Sequence, residues 1–146
     1  MKRSEIRTFL NEGVNALTPV VEFGSGRPSE FAPIRTHVYP AVWQNIKPVD
    51  VEITNSAPLD KWEIELVIAQ KDLIDSLPEQ YEEIIDTADF IAQKLIYQYR
   101  NVTTGYKLLT LESVSRTPFV KALSPDCISG VTLAFTLKVA DQTNVC

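Results

Sequence analysis

Residues 60–100 read DKWEIELVIAQKDLIDSLPEQYEEIIDTADFIAQKLIYQYR, and two periodicities succeed one another within them. Trp62, Ile64, Leu66 and Ile68 alternate with Lys61, Glu63 and Glu65, the period of two that turns one face of a strand to a core. Tyr81, Ile84, Ile85, Ala88, Ile91, Ala92, Leu95 and Tyr99 then recur at helical spacing, which draws one apolar stripe down a long helix. Ser76-Leu77-Pro78-Glu79 separates the two elements. Ser76 and Glu79 stand at capping-box spacing, and Pro78 falls in the first turn, where its missing amide costs nothing. A strand running into a two-faced helix is a scaffold unit, and it carries no catalytic constellation.

Working outward, Ser4 is placed to cap a first helix in which Ile6, Phe9, Leu10, Val14 and Leu17 recur. Thr18-Pro19 ends that helix, because proline pushes its predecessor out of the helical region. Val20-Val21-Glu22-Phe23 reads as a brief strand, and Gly24-Ser25-Gly26-Arg27-Pro28-Ser29 as a loop. Residues 37–43 read as a strand whose Pro40 suggests an edge or a bulge, and residues 49–53 alternate as a second one. Asn55-Ser56-Ala57-Pro58 turns the chain into the strand of the opening unit. The long helix ends near Arg100-Asn101. Two strands follow, residues 106–114 and 131–139, joined through a polar turn at Ser124-Pro125-Asp126 and Gly130. This order predicts one α+β domain over residues 1–146. In it an antiparallel or mixed sheet is packed on one face by the N-terminal helix and the long helix.

Bulk properties agree with one core. The chain has 146 residues, 45% hydrophobic and 23% charged, an ordinary soluble composition. A net charge of −5 and a pI near 4.9 oppose general affinity for nucleic acid or an anionic membrane. Met1-Lys2-Arg3 is followed by Ser4-Glu5 with no apolar signal core, and no run approaches the length of a membrane span. A soluble protein made in a cytoplasm is expected.

The chemical inventory is thin. Cys127 and Cys146 lack C-x-x-C spacing and His37 is the sole histidine, which leaves a four-ligand zinc site short of ligands. Cys127 reads as a small apolar residue of the interior. A Ser-His-Asp arrangement has only His37 to serve as base, and no G-x-S-x-G elbow accompanies it. The glycine loop has neither the Lys-Ser/Thr of a Walker loop nor the third glycine of a dinucleotide fingerprint. Glu82, Glu83, Asp86 and Asp89 read as the solvated side of the long helix, where acids also complement the helix dipole. Asn101-Val102-Thr103 fits a glycosylation acceptor by pattern alone. Tyr97, Tyr99, Arg100, Tyr106 and Lys107 come nearest to a nucleic-acid platform, and a protein contact or helix end describes them better. No catalytic, metal or cofactor residue is therefore assigned.

The element order, with the Tyr39-Pro40-Ala41-Val42 strand opening, the charged central strand, the long acid-faced helix and two closing strands, resembles the tail terminators and tail-completion proteins of tailed phages. The end, where Asp126-Cys127-Ile128-Ser129-Gly130-Val131 leads into Phe135, looks like theirs too. The resemblance implies a structural virion protein without an active site. It would form a homo-oligomeric ring, commonly a hexamer, that caps the tail tube and meets the head connector after assembly in the host cytoplasm. Its implied partners are further copies of itself and the neighbouring tail-tube and connector proteins, with no membrane and no sequence-specific nucleic acid. Residues 20–34 and 115–128 depart from the layout and suggest contact arms. The interface candidates are Gly24, Arg27, Phe31, Arg35, Arg116, Phe119, Lys121 and Asp126. Two other classes stay open: a cellular α+β protein-binding module, and a small hydrolase joining at least two of Glu63, Glu65, Asp86 and Asp89.

Overall fold

The computed structural model describes residues 2–15, 22–25, 41–53, 58–73, 75–100, 102–104, 107–123 and 127–141. In chain order the elements are α1 (Arg3–Asn15), β1 (Glu22–Ser25), β2 (Ala41–Ile53), β3 (Pro58–Lys71), α2 (Pro78–Tyr99), β4 (Val102–Thr104), β5 (Lys107–Leu123) and β6 (Cys127–Asp141). The strands form a six-stranded sheet in the order β1-β2-β3-β6-β5-β4. β1 runs parallel to β2 and every other neighbouring pair is antiparallel, so the sheet is mixed and the class is α+β.

Register explains the core. Val42, Gln44 and Ile46 of β2 stand opposite Ile68, Leu66 and Ile64 of β3, which stand opposite Val131, Leu133 and Phe135 of β6. These rows share one face, and all nine side chains are buried. Both helices cover that face: Ile6, Leu10 and Val14 of α1 and Ala88, Ile91, Ala92, Leu95 and Tyr99 of α2 enter the same cluster. Each fully buried Ile or Leu contributes about 1.5–3 kcal/mol relative to an exposed one. Tyr99 is the joint between the helices. Its hydroxyl donates to the Leu10 carbonyl at 2.5 Å, and its ring lies 5.1 Å from Phe9 and 6.0 Å from Phe135. Gly13 makes the approach possible, because a Cβ there would collide with the Tyr99 ring. Burial drives the Tyr99 hydroxyl well above its ordinary pKa, so it stays a neutral donor.

Several expected boundaries move. Ser4 lies inside α1 instead of capping it; the Lys2 amide precedes the helix and donates to Glu5 Oε2 at 3.1 Å. At α2 the cap shifts by one residue, to Leu77, whose amide donates to Gln80 Oε1 at 2.9 Å. α2 ends at Tyr99 with Arg100 extended. The strands expected at 37–43 and 49–53 are one element from Ala41, since a register shift between Pro48 and Asp50 carries the ladder past the proline. β1 takes in Gly24 and Ser25, which were read as loop. The largest correction is in β5 and β6. Residues 115–123, expected to be a connection, are strand, and Gly130 is paired with Ala69 and Phe119 inside the sheet. A Cβ at Gly130 would run into the Ile68 carbonyl, so a close approach of backbones calls for glycine there, and no turn does. His37, Pro40 and the end of the first helix expected at Thr18-Pro19 lie outside the described residues. Among the described residues no helix is long and apolar enough to cross a membrane.

Candidate interaction surface

β5 is the unusual strand. β4 pairs with it only from Lys107 to Leu109, so from Thr110 onward its outer edge meets no strand among the described residues. Two irregularities break its ladder with β6, between Glu112 and Ser115 and between Phe119 and Ala122. Each contains a non-glycine residue with positive φ, Ser113 at 55° and Lys121 at 51°. Bulges and an interior proline, here Pro118, are the usual means by which an open edge avoids indiscriminate pairing. Every residue from Glu112 to Pro118 is exposed. Alternation is missing here because water reaches all of these side chains and no buried face imposes a period.

The second bulge is tied down by a polar corner. Lys121 donates its amide to Ser129 Oγ at 2.9 Å, and that hydroxyl donates to Asp72 Oδ2 at 2.6 Å. Asp72 Oδ1 accepts the Leu73 amide at 2.7 Å, while the Asp72 amide donates to the Cys127 carbonyl at 2.8 Å and extends the ladder. Lys121 Nζ reaches the Ser76 carbonyl at 2.8 Å, just before α2, and lies 5.4 Å over the Tyr81 ring. Burial alone would raise the Asp72 pKa. The Ser129 hydrogen bond, the nearby Ser76 hydroxyl, the Leu73 amide and the Lys121 charge outweigh it and hold the carboxyl below its ordinary value. The Ser76 hydroxyl itself falls short of hydrogen-bond geometry. Ser129 is fully buried and its proton is donated to Asp72, so the corner acts as a fastening.

What the corner fastens is a loop bearing exposed apolar groups. Leu73 and Leu77 are each 63% exposed, and Val120 of the bulge is 47% exposed. On the solvent side of α2, Phe90 and Tyr97 are 57% and 73% exposed, with Lys94 and Arg100 over their rings. Glu79, Glu82, Glu83 and Asp86 are exposed beside them. Scattered exposed side chains need no explanation, whereas a rigidly held group of them does.

Of the candidates read from sequence, Arg116 bonds Asp89 of α2 at 2.9 Å and Lys121 serves the corner. Phe119 is half-buried on the sheet face away from the helices, against Ala41, Trp43, Ala69 and Ile128. Gly24 lies in β1 beside Trp43. Arg27, Phe31, Arg35 and Asp126 lie outside the described residues, as does Cys146. The structure thus gives Arg116, Phe119 and Lys121 intramolecular work and leaves Val114, Ser115, Thr117 and Val120 facing solvent around them. Cys127 is a half-buried free thiol. Glu63 and Glu65 extend from the face opposite Ile64 and Leu66, while Asp86 and Asp89 belong to the helix covering the other face. The sheet therefore puts Glu63 with Glu65 on one side and Asp86 with Asp89 on the other. Among the described residues no group of three or more His, Cys, Asp or Glu could hold a metal ion. Sequence reading missed Asp72, Ser76 and Ser129, whose spacing has no period to reveal it. Neither a scan against protein-family models nor a search of curated proteins found a match to this chain.

Proposed function

We propose that this chain is a self-assembling structural subunit, a ring-forming component of the neck or tail of a tailed phage. The observation that carries the reading is the outer edge of β5, which beyond Leu109 meets no strand among the described residues and is bordered by exposed apolar side chains on a fastened corner. A strand edge presents a row of backbone donors and acceptors, and adding a strand there is a general mode of protein association. The edge supports self-association, and the order of elements supports the virion setting through its resemblance to tail-completion proteins. In this role the protein meets copies of itself laterally, and tail-tube and connector proteins above and below. Binding strength comes from buried surface and strand pairing, and no bond is made or broken.

Light scattering and negative-stain electron microscopy of the purified protein, alone and with isolated tail tubes, test the proposal. The expected result is a discrete ring, formed alone or seeded at tube ends. A monodisperse monomer at high concentration that leaves tail tubes bare would refute it.

A further inference from the structure

The two ends of the sheet carry different chemistry. At one end stands β1, with α1 packed against β1 and β2. Arg3 and Arg7, four residues apart, share a flank of α1. Arg3 bonds the Ile46 carbonyl of β2 and lies 5.8 Å over Trp62, and Arg7 is exposed one turn further on. This flank faces away from Phe9, which turns toward Tyr99 and α2. At the other end α2 packs over β5 and β6. Glu82, Asp86 and Asp89 follow one another at helical spacing down the α2 flank nearest β5. The ion pair from Arg116 of β5 to Asp89 at 2.9 Å fixes that orientation. Arg7 thus stands at one margin of the molecule, and Glu82 and Asp86 stand at the opposite one.

Building on the self-assembly proposed above, we infer that the β5–α2 margin of one copy docks on the β1–α1 margin of the next. The acidic flank of α2 then faces Arg7, and the open edge of β5 lies beside β1. Three observations point to this occupant. Arg7 at one margin and Glu82 with Asp86 at the other are opposite in sign, which steers the encounter and penalises wrong pairings. The margins sit at opposite ends of one sheet, so the contact is head-to-tail and propagates toward ring closure. The regular stretch of β5 between its bulges, Ser115 to Phe119, is also close in length to the four residues of β1. A two-fold contact of the β5 margin with itself would instead set Glu82 and Asp86 near their own copies, and like charges repel.

A charge swap on the full chain tests the inference by sedimentation velocity at low salt. One variant carries Glu82→Lys with Asp86→Lys, and the other carries Arg7→Glu. Each alone should raise the concentration needed for assembly on the order of tenfold, since reversed rim charges weaken encounter without opening a core. An equimolar mixture should recover assembly, because each altered margin then meets its complement. The milder pair Glu82→Gln and Asp86→Asn should shift assembly in the same direction by less, and it serves if the reversal unfolds the chain. If the wild type assembles and the variants assemble equally well, or if mixing restores nothing, this docking is wrong and self-assembly stands. A wild type that stays monomeric overturns both.

Discussion

The Tyr99 joint and the Asp72 corner are both buried and hydrogen-bonded, yet they hold different things. At the joint, one hydroxyl and one glycine let two helices close over the sheet within a hydrophobic cluster. At the corner, a chain of hydrogen bonds from Lys121 through Ser129 to Asp72 fixes a bulge, a loop and a helix start, while Leu73, Leu77 and Val120 remain in water. The first secures the fold and the second secures a surface. The exposed leucines beside this fastening are what support the assembly role proposed above.

Breaking the joint should have the largest effect. Tyr99→Ala should lower stability by about 3–5 kcal/mol, the usual cost of emptying a large aromatic site, read from urea unfolding. Tyr99→Phe should cost only about 1 kcal/mol, because it removes one hydrogen bond and leaves the packing. If the two substitutions cost the same, the joint depends on its hydroxyl and the contrast drawn above fails.

The corner should respond less, and with a pH signature. Asp72→Ala leaves the Ser129 hydroxyl and the Leu73 amide without their acceptor and should cost about 1–3 kcal/mol. Because the folded carboxyl titrates below its ordinary value, its contribution is complete above the ordinary carboxylate range and is lost as pH falls through the lower folded value. The stability gap between wild type and Asp72→Ala should therefore narrow with acidification in that window. A gap that stays flat there would remove the charged network from the account of the corner.

Smaller still are two surface changes. Leu73→Ser with Leu77→Ala, which leaves the α2 cap without a new side-chain acceptor, should keep the unfolding free energy within about 0.5 kcal/mol of wild type while weakening any assembly, which separates surface from fold in one variant. Ser113→Gly should stabilise by roughly 0.5 kcal/mol, the left-handed strain relieved less the entropy glycine adds to the unfolded chain. Thermal melts followed by circular dichroism would detect either, and a large loss in the first would mean the leucines belong to the core.

How much of this was visible in the residues depended on burial. Trp62 to Ile68 and Tyr81 to Tyr99 announced themselves because each has one face against a core, and burial is what enforces a period. Ser115 to Leu123 was read as a connection for the opposite reason. It is strand by virtue of its pairing with β6, and the exposure of Ser115 to Pro118 leaves the pattern there unconstrained. Residues 37–43 and 49–53 read as two strands, and a bulge after Pro48 lets β2 run through as one. Gly130 signalled a turn when the need was close approach to Ile68. The corner was illegible, since Asp72, Ser76, Lys121 and Ser129 come together only once β3, β5, β6 and the start of α2 have converged. Arg116 and Lys121, interface candidates within the 115–128 segment, each also make an intramolecular contact in the fold.

Hydrogen exchange of the amides in residues 110–123, compared at low and high protein concentration, bears most directly on the claim that the open margin of β5 is the assembly surface. Protection should rise with concentration along the stretch between the two bulges, while amides of β3 and β6 stay equally protected throughout. Oligomers that form with no change in β5 exchange would place the contact elsewhere and contradict the claim.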